Sequence, residues 1–196
     1  MTSVEVIYLD DDIIIVNKQS DVLSVPGRGA EKLDSISHRL SLQFEEVHIV
    51  HRLDMATSGI MVFARHKESL RVLQQQFQNR QTQKIYQAIV AGKLTPSTGA
   101  INLPMRCDWP NRPRQMVCYE YGKKSLTRWR VIGYIEENTR IELMPVTGRS
   151  HQLRIHCDAM GHPILGDHLY GTAESQKATE HLCLHAQSLT FTHPSS

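Results

Sequence analysis

The alternation of apolar and polar residues along the chain predicts more strands than helices. Val4–Tyr8 and Ile13–Asn17 flank the turn Asp10-Asp11-Asp12 and predict a β-hairpin. Ile60–Ala64 and Ile85–Val90 are short, β-prone apolar runs of strand length. Further strands are predicted over Val47–Val50, Leu126–Ile135, Arg140–Pro145 and Leu182–Thr192.

Three segments have apolar residues at helical spacing. One is Glu68–Asn79, and a second begins after Asp34 or Ser35, either of which can cap it. A third is Ser150–Met160, with Ser150 as the expected N-cap. Because these helices do not alternate regularly with the strands, the pattern predicts an α+β fold and disfavours a doubly wound parallel sheet.

Length and composition place the chain among ordinary globular proteins. It has 196 residues, of which 40% are hydrophobic and 21% charged, and we find no internal repeat or linker. We therefore expect one domain over residues 1–196. No apolar run reaches membrane-spanning length, and the N-terminal sequence MTSVEVIYLDDD does not resemble a signal peptide. These features predict a cytoplasmic protein, and we expect a monomer.

Neither cysteines nor histidines form a metal-binding pattern. The four cysteines contain no CxxC pair, and no HExxH sequence is present among the eleven histidines. No glycine-rich nucleotide loop occurs either. We therefore expect no metal and no cofactor.

Charge is distributed unevenly. Residues 1–50 hold nine acidic and four basic side chains, whereas residues 104–130 hold seven basic and two acidic ones. The basic stretch predicts a phosphate-binding face, and an ordinary solvated surface is the alternative. Within it, the prolines of DWPNRPR exclude a regular helix or a central strand. Trp109 in this segment could contact a base or anchor its own loop.

The segment HRLDMATSG lies between two apolar stretches, so we expect a loop that presents polar side chains. Arg52 and Asp54 are two residues apart and would share one face of an extended chain. This spacing alone is compatible with a structural ion pair as well as with a catalytic carboxylate.

Two further segments carry candidate functional groups. In TGRSHQLRIH, the helical spacing places His151 and Arg154 on neighbouring turns, and a buried arginine there needs an anion, for which Asp54 is a candidate. An ordinary surface arginine is the alternative. In KIY, Tyr86 could pack in the core or stack on a base.

Taken together, the segments HRLDMATSGIMVFA, KIYQAIV, VTGRSHQLRIH, GHPILGDHLYG and LCLHAQSL resemble the RluA-type pseudouridine synthase family. They occur in the family's order, and the likeness extends from about Ile14 to His193. DWPNRPRQMVCYE is similar to the RluA branch, whose members modify large-subunit ribosomal RNA and transfer RNA. The resemblance implies a long, mixed, mostly antiparallel sheet with flanking helices and a central catalytic cleft.

The resemblance also implies a role for each matched residue. Asp54 is the expected catalytic aspartate, and Arg154 is expected to pair with it. Tyr86 is expected to stack on the target base, Arg52 to fill the gap that the everted base leaves, and Leu184 to form part of the pocket wall. The carboxylate could attack C1′ of the ribose, attack C6 of the base, or remove a proton from C2′, and the sequence does not select among these routes.

The expected partner is ribosomal RNA, transfer RNA or both. The predicted RNA-binding residues are Arg52, Arg106, Arg112, Arg114, Arg149, His151 and Leu184. Relative to the family, we expect no N-terminal S4 domain and a short C-terminal end. A non-catalytic RNA-binding or chaperone module is the alternative function. A glycosidase would need a second carboxylate beside Asp54, and none stands near it in the sequence.

Overall fold

A computed structural model describes residues 3–196 and divides the chain into two compact units. The first unit runs to Lys84 and includes Ala186–Ser196, and the second is Ile85–His185. In the part of the chain that the structure describes, no helix is both long and apolar enough to cross a membrane.

The first unit contains a β-sheet whose first four strands along the chain pair antiparallel. Its strands are β1 (Glu5–Leu9), β2 (Ile13–Lys18), β3 (His48–Ile49), β4 (Ser58–Ala64) and the part of β11 (Leu184–Thr190) from Ala186 onward. β2 pairs with β1 on one side and with β4 on the other, and β4 also pairs with β3. The hairpin predicted around the three aspartates is therefore confirmed.

Two helices accompany this sheet, α1 (Ile36–Ser41) and α2 (Lys67–Gln78). Of the two predicted caps of α1, Ser35 is the N-cap, because its hydroxyl accepts a hydrogen bond from the backbone N–H of His38. Asp34 instead forms an ion pair with Arg39 at 2.7 Å. Leu73 of α2 packs in a buried cluster with Ile13, Val62 and Ala64.

The second unit contains an antiparallel sheet in the order β5-β10-β9-β6. These strands are β5 (Gln83–Val90), β6 (Thr98–Asn102), β9 (Leu126–Ile135) and β10 (Asn138–Pro145). The strands predicted over Leu126–Ile135 and Arg140–Pro145 are confirmed as β9 and β10, which pair with each other. The sequence prediction did not include β6, whose five residues are partly polar.

A separate two-stranded hairpin lies in the basic stretch of the second unit. It consists of β7 (Met105–Cys107) and β8 (Gln115–Val117), with a 3-10 turn at Trp109–Asn111 between them. The prediction that DWPNRPR is neither regular helix nor central strand agrees with this geometry. The strands were not predicted, because three residues are too short to establish a period-2 pattern.

Two helices complete the second unit, α3 (Gln152–Ala159) and α4 (Ala173–Lys177). The prediction that Ser150 caps α3 is wrong. The cap position is His151, in the left-handed conformation at φ 54°, and its side chain makes no capping bond. The Gln152 side-chain oxygen instead accepts hydrogen bonds from the Arg149 backbone and the Thr147 hydroxyl, which organises the turn before the helix.

The α+β fold class and the mostly antiparallel arrangement are confirmed. The single domain, the central catalytic cleft and the monomeric state stay predictions.

Candidate active site

Asp54 lies in an irregular loop that joins β3 to β4 in the first unit. The adjacent Leu53 is buried, and its backbone is held at both ends by Ser24. The Ser24 hydroxyl donates to the Leu53 carbonyl at 2.7 Å and accepts from the Leu53 N–H at 3.1 Å. The N–H of Thr57 donates to the Asp54 carbonyl at 3.1 Å. These bonds fix the backbone on either side of a half-buried carboxylate.

A buried lysine also binds the backbone of this loop. Lys18, the last residue of β2, is fully buried. Its ammonium donates to the carbonyl oxygens of Gln19 (2.9 Å), Val22 (2.7 Å) and Met55 (2.8 Å). Burial lowers the pKa of Lys18 to about 8, while the carboxylates of Asp21 and Asp54 act in the opposite direction. The loop is therefore held by a buried ammonium group that interacts electrostatically with Asp54.

His51 lies near the start of the loop and contacts Val62 and Phe77. Its Nε2 accepts a hydrogen bond from the Val62 N–H at 3.1 Å, and its ring stacks on Phe77 at a centroid distance of 4.9 Å. Burial, assisted by the charge of Lys84, lowers the pKa of His51 to about 4. An uncharged His51 at neutral pH is consistent with its acceptor role toward Val62.

Gly59, the second residue of β4, follows the loop and adopts a conformation that other residues rarely adopt, with φ at 115°. A Cβ at this position would lie 2.4 Å from the carbonyl oxygen of Ala186 in β11. The glycine of HRLDMATSG is therefore required by a close backbone approach as well as by its φ.

Arg154 projects from α3 in the second unit and is buried. Its Nε and one terminal nitrogen donate to the two carboxylate oxygens of Asp167, at 2.8 and 2.6 Å. Oδ1 of Asp167 also accepts from the backbone N–H groups of Leu169 and Tyr170. The expectation of a buried arginine that needs an anion is confirmed, but sequence reasoning missed Asp167. An isolated acidic residue in the apolar segment GHPILGDHLYG was the available signal.

Tyr170 connects α3 to the β7–β8 hairpin. Its hydroxyl lies 2.7 Å from Nδ1 of His151 and accepts the backbone N–H of Gln115 at 2.8 Å. The guanidinium groups of Arg114 and Arg154 lie 5.3 and 5.2 Å from the centre of its ring. The structure thus brings together three residues that the sequence analysis selected, around a tyrosine that it did not.

The other selected residues occupy defined positions in one unit or the other. Arg52 is exposed beside Asp54, whereas Tyr86 in β5 is half-buried and Leu184 in β11 is buried. Also exposed are Arg106, Arg112 and Arg149. Because Asp54 belongs to the first unit and Arg154, Tyr86 and Leu184 to the second, the pairing of Asp54 with Arg154 and the pocket around them stay predictions.

One cluster in the described residues has the spacing of metal ligands. Side-chain atoms of Asp10, Asp12 and His193 lie within 4.8 Å of one another. His193 contacts Asp10 at 3.0 Å, and the Ser195 hydroxyl donates to Asp12. These hydrogen bonds account for the cluster as a connection between the β1–β2 turn and the segment after β11, so the absence of a metal stays a prediction.

Sequence comparisons give a consistent result. The family model described as RNA pseudouridylate synthase matches residues 12–159. The protein named dual-specificity RNA pseudouridine synthase RluA from Escherichia coli K12 is 50% identical over 190 residues, which are 96% of this chain and 87% of that one. Its namesake from Yersinia pestis is 51% identical over 190 residues, covering 96% of this chain and 92% of that protein.

Solved structures extend the likeness to the fold. Human RNA pseudouridylate synthase domain containing 1 superposes with a TM-score of 0.84 at 28% identity, covering 99% of this chain and 80% of that one. Human RNA pseudouridylate synthase domain containing 4 gives a TM-score of 0.76 at 25% identity over 94% of this chain and 83% of that one.

Proposed function

Because the chain belongs to the RNA pseudouridylate synthase family, we propose that Asp54 is the carboxylate with which it converts uridine to pseudouridine. The chain is an isomerase of RNA, and the family's reaction moves the link between base and ribose. The N1–C1′ bond breaks, the uracil turns, and a C5–C1′ bond forms. C5 releases its proton to solvent and N1 gains one, so the reaction needs no redox partner.

The observation that carries the Asp54 assignment is the way in which its loop is held. Lys18 and Ser24 together fix the backbone at Leu53 and Met55, the two neighbours of Asp54. A carboxylate that must meet one atom of a substrate benefits from such a preorganised backbone. The Lys18 ammonium that binds the Met55 carbonyl also brings a positive charge into electrostatic interaction with Asp54.

The remaining assignments follow the family resemblance. We propose that Arg154, whose guanidinium is held by Asp167, pairs with Asp54 and orients it. Tyr86 stacks on the uracil, and Leu184 forms part of an apolar pocket wall. Arg52, exposed beside Asp54, fills the space that the everted nucleotide leaves in the RNA.

The proposed substrates are large-subunit ribosomal RNA and the anticodon stem-loop of transfer RNA. The resemblance to the RluA branch and the relatives named dual-specificity synthases support two substrates. A stacked uridine must leave its helix or loop to reach a carboxylate, at a cost of a few kcal/mol, which stacking on Tyr86 offsets in part. We propose that the protein acts in the cytoplasm, without a metal or a cofactor.

Tritium release tests the assignment directly. Purified protein is incubated with an anticodon stem-loop labelled with tritium at C5 of uridine, and Asp54→Asn is compared with wild type. We expect release by wild type and none by Asp54→Asn, because an amide cannot supply the negative charge. Asp11→Asn is the matched control, since Asp11 is fully exposed in the β1–β2 turn.

Two outcomes would contradict the proposal. Undiminished release by Asp54→Asn would remove the catalytic role of Asp54. RNA binding by wild type without any release from ribosomal or transfer RNA fragments would support the non-catalytic RNA-binding module instead.

A further inference from the structure

The β7–β8 hairpin ends in a compact tip formed by residues 108–114. The backbone N–H of Asp108 donates to the Arg114 carbonyl, and the N–H of Arg114 donates to the Asn111 carbonyl, both at 3.0 Å. The Asn111 side chain donates to the Asp108 carboxylate at 2.9 Å. The shape of the tip is therefore set by its own backbone and by these two polar side chains.

Trp109 lies on this tip and takes no part in those hydrogen bonds. Its side chain is 66% exposed, and the guanidinium of Arg112 lies 4.3 Å from the centre of the indole ring. An indole that anchored its loop would be buried against it. Trp129, the second tryptophan of the chain, is 6% exposed, which shows the contrast within the same unit.

Charge and aromaticity around the tip indicate the kind of partner. Tyr119 and Tyr121, in the turn after β8, are 78% and 68% exposed. The basic side chains of this region are Arg106, Arg112, Arg114, Lys123 and Lys124, against the acidic Asp108 and Glu120. Exposed aromatic rings among guanidinium and ammonium groups match single-stranded nucleic acid, whose bases stack and whose phosphates are negative.

The base of the hairpin lies against the helix that carries Arg154. Met105 of β7 packs with Ile155 of α3 and with Tyr170 in one buried cluster. Tyr170 also contacts both Arg114 and Arg154. RNA held on the hairpin would therefore be held on the same rigid group of residues that positions Arg154.

We propose that Trp109, backed by Arg112, is a stacking platform for an unpaired base of the substrate RNA other than the target uridine. This inference rests on the proposed function, because it takes the bound RNA to be the substrate. Trp109 strengthens binding of the RNA and does not touch the reacting atoms. Its removal accordingly raises KM and leaves kcat near the wild-type value.

Steady-state tritium release with the labelled stem-loop tests the platform. A base stacked on an aromatic ring contributes about 1–3 kcal/mol, so Trp109→Ala is expected to raise KM by roughly 5- to 150-fold. Trp109→Phe keeps an aromatic face and should stay within about threefold of wild type. Tyr134→Ala, which removes an exposed aromatic residue of β9, is the matched control and should leave KM unchanged.

Tryptophan fluorescence gives a readout that does not depend on catalysis. Because Trp129 is buried, quenching by unlabelled stem-loop reports on Trp109 and should be lost in Trp109→Phe. An unchanged KM in Trp109→Ala, or Trp109→Phe as impaired as Trp109→Ala, would overturn the platform. So would unchanged fluorescence on RNA binding, the result expected if the tip docks a protein. Quenching of wild type without tritium release would instead contradict the proposed function and leave the platform in place.

Discussion

The Asp54 loop and the hairpin tip differ in how their functional side chains are held. In the loop, Lys18 and Ser24 bind main-chain groups directly beside Asp54, and the side chains that do this are buried. In the tip, the backbone is equally well bonded, but Trp109 and Arg112 extend into solvent and contact each other.

The proposed function assigns a different task to each of these two regions. A carboxylate that reacts at a single bond must be placed within a fraction of an ångström, so its loop is fixed by buried donors. A surface that binds RNA gains affinity from many exposed charges and aromatic rings, each of which contributes modestly. Substitutions in the first region should therefore reduce turnover or stability, and substitutions in the second should change affinity.

The largest effect is expected at Arg154. Arg154→Ala leaves the buried carboxylate of Asp167 without its partner, which should lower the free energy of unfolding by about 3–5 kcal/mol. Turnover of the folded fraction should fall at least about a hundredfold, with a much smaller change in RNA affinity. Arg154→Lys keeps the charge but not the paired hydrogen bonds and should recover part of the stability. Equal losses of kcat and RNA affinity would contradict the proposed role of Arg154 in orienting Asp54.

The next effect is expected at Lys18. Lys18→Met leaves three carbonyl oxygens without their donor and should lower the free energy of unfolding by about 2–3 kcal/mol, measured by urea denaturation. Lys67→Met, an exposed lysine of α2, should change it by less than about 0.5 kcal/mol. A loss at Lys18 no larger than at Lys67 would show that the loop does not depend on this ammonium.

The pH dependence of the same variant has a defined sign. The pKa of Lys18 is lowered to about 8 in the folded protein from an ordinary value of 10.5, so the folded state binds fewer protons between these limits. Stability contributed by this group therefore rises with pH from about 8 to 10.5. Wild type should show this rise, and Lys18→Met should not.

A smaller effect is expected from acid at His51. Its folded pKa of about 4 lies below the ordinary 6.5, so the unfolded chain binds more protons in this interval. The stability associated with neutral His51 is complete above about pH 6.5 and is lost as the pH falls toward 4. Urea denaturation of wild type and His51→Gln across this range measures it, and parallel pH profiles would contradict the assignment.

The smallest effect is expected from single charges on the hairpin. Arg106→Gln and Arg114→Gln should each weaken RNA binding and reduce the slope of log affinity against log salt by about one. Filter binding of the stem-loop at several salt concentrations measures both quantities. A fall in kcat at saturating RNA, with affinity unchanged, would contradict the division between the two regions.

Sequence patterns predicted those elements whose determinants are local. The β1–β2 hairpin, α2 and the β9–β10 pair were found because each contains enough residues to express a period of 2 or 3.6. The two strands of the β7–β8 hairpin were missed because each has three residues, and Met105 and Val117 pack in a cluster with residues far away in the chain. Ser150 was assigned as a cap because its residue type favours that role, whereas Gln152 bonds the preceding turn instead.

In the candidate site, too, residues with a local sequence signal were predicted and residues fixed by distant contacts were not. The motif HRLDMATSG identified Asp54 and Arg52 together with the glycine that the loop requires. Lys18 and Asp167 were not found, because their function depends on burial and on groups far away in the chain. A lysine that ends the apolar run IIIVNK and an aspartate inside GHPILGDHLYG are weak signals without coordinates.

The close approach of Gly59 to the backbone of Ala186 has a consequence for biosynthesis. Gly59, the second residue of β4, lies against a strand that leaves the ribosome much later than the Asp54 loop. A growing chain can therefore form the β1–β2 hairpin and the contacts of Lys18 and Ser24 early, while the strand that lies against Gly59 is still missing. We therefore expect RNA modification to begin only after β11 has been translated.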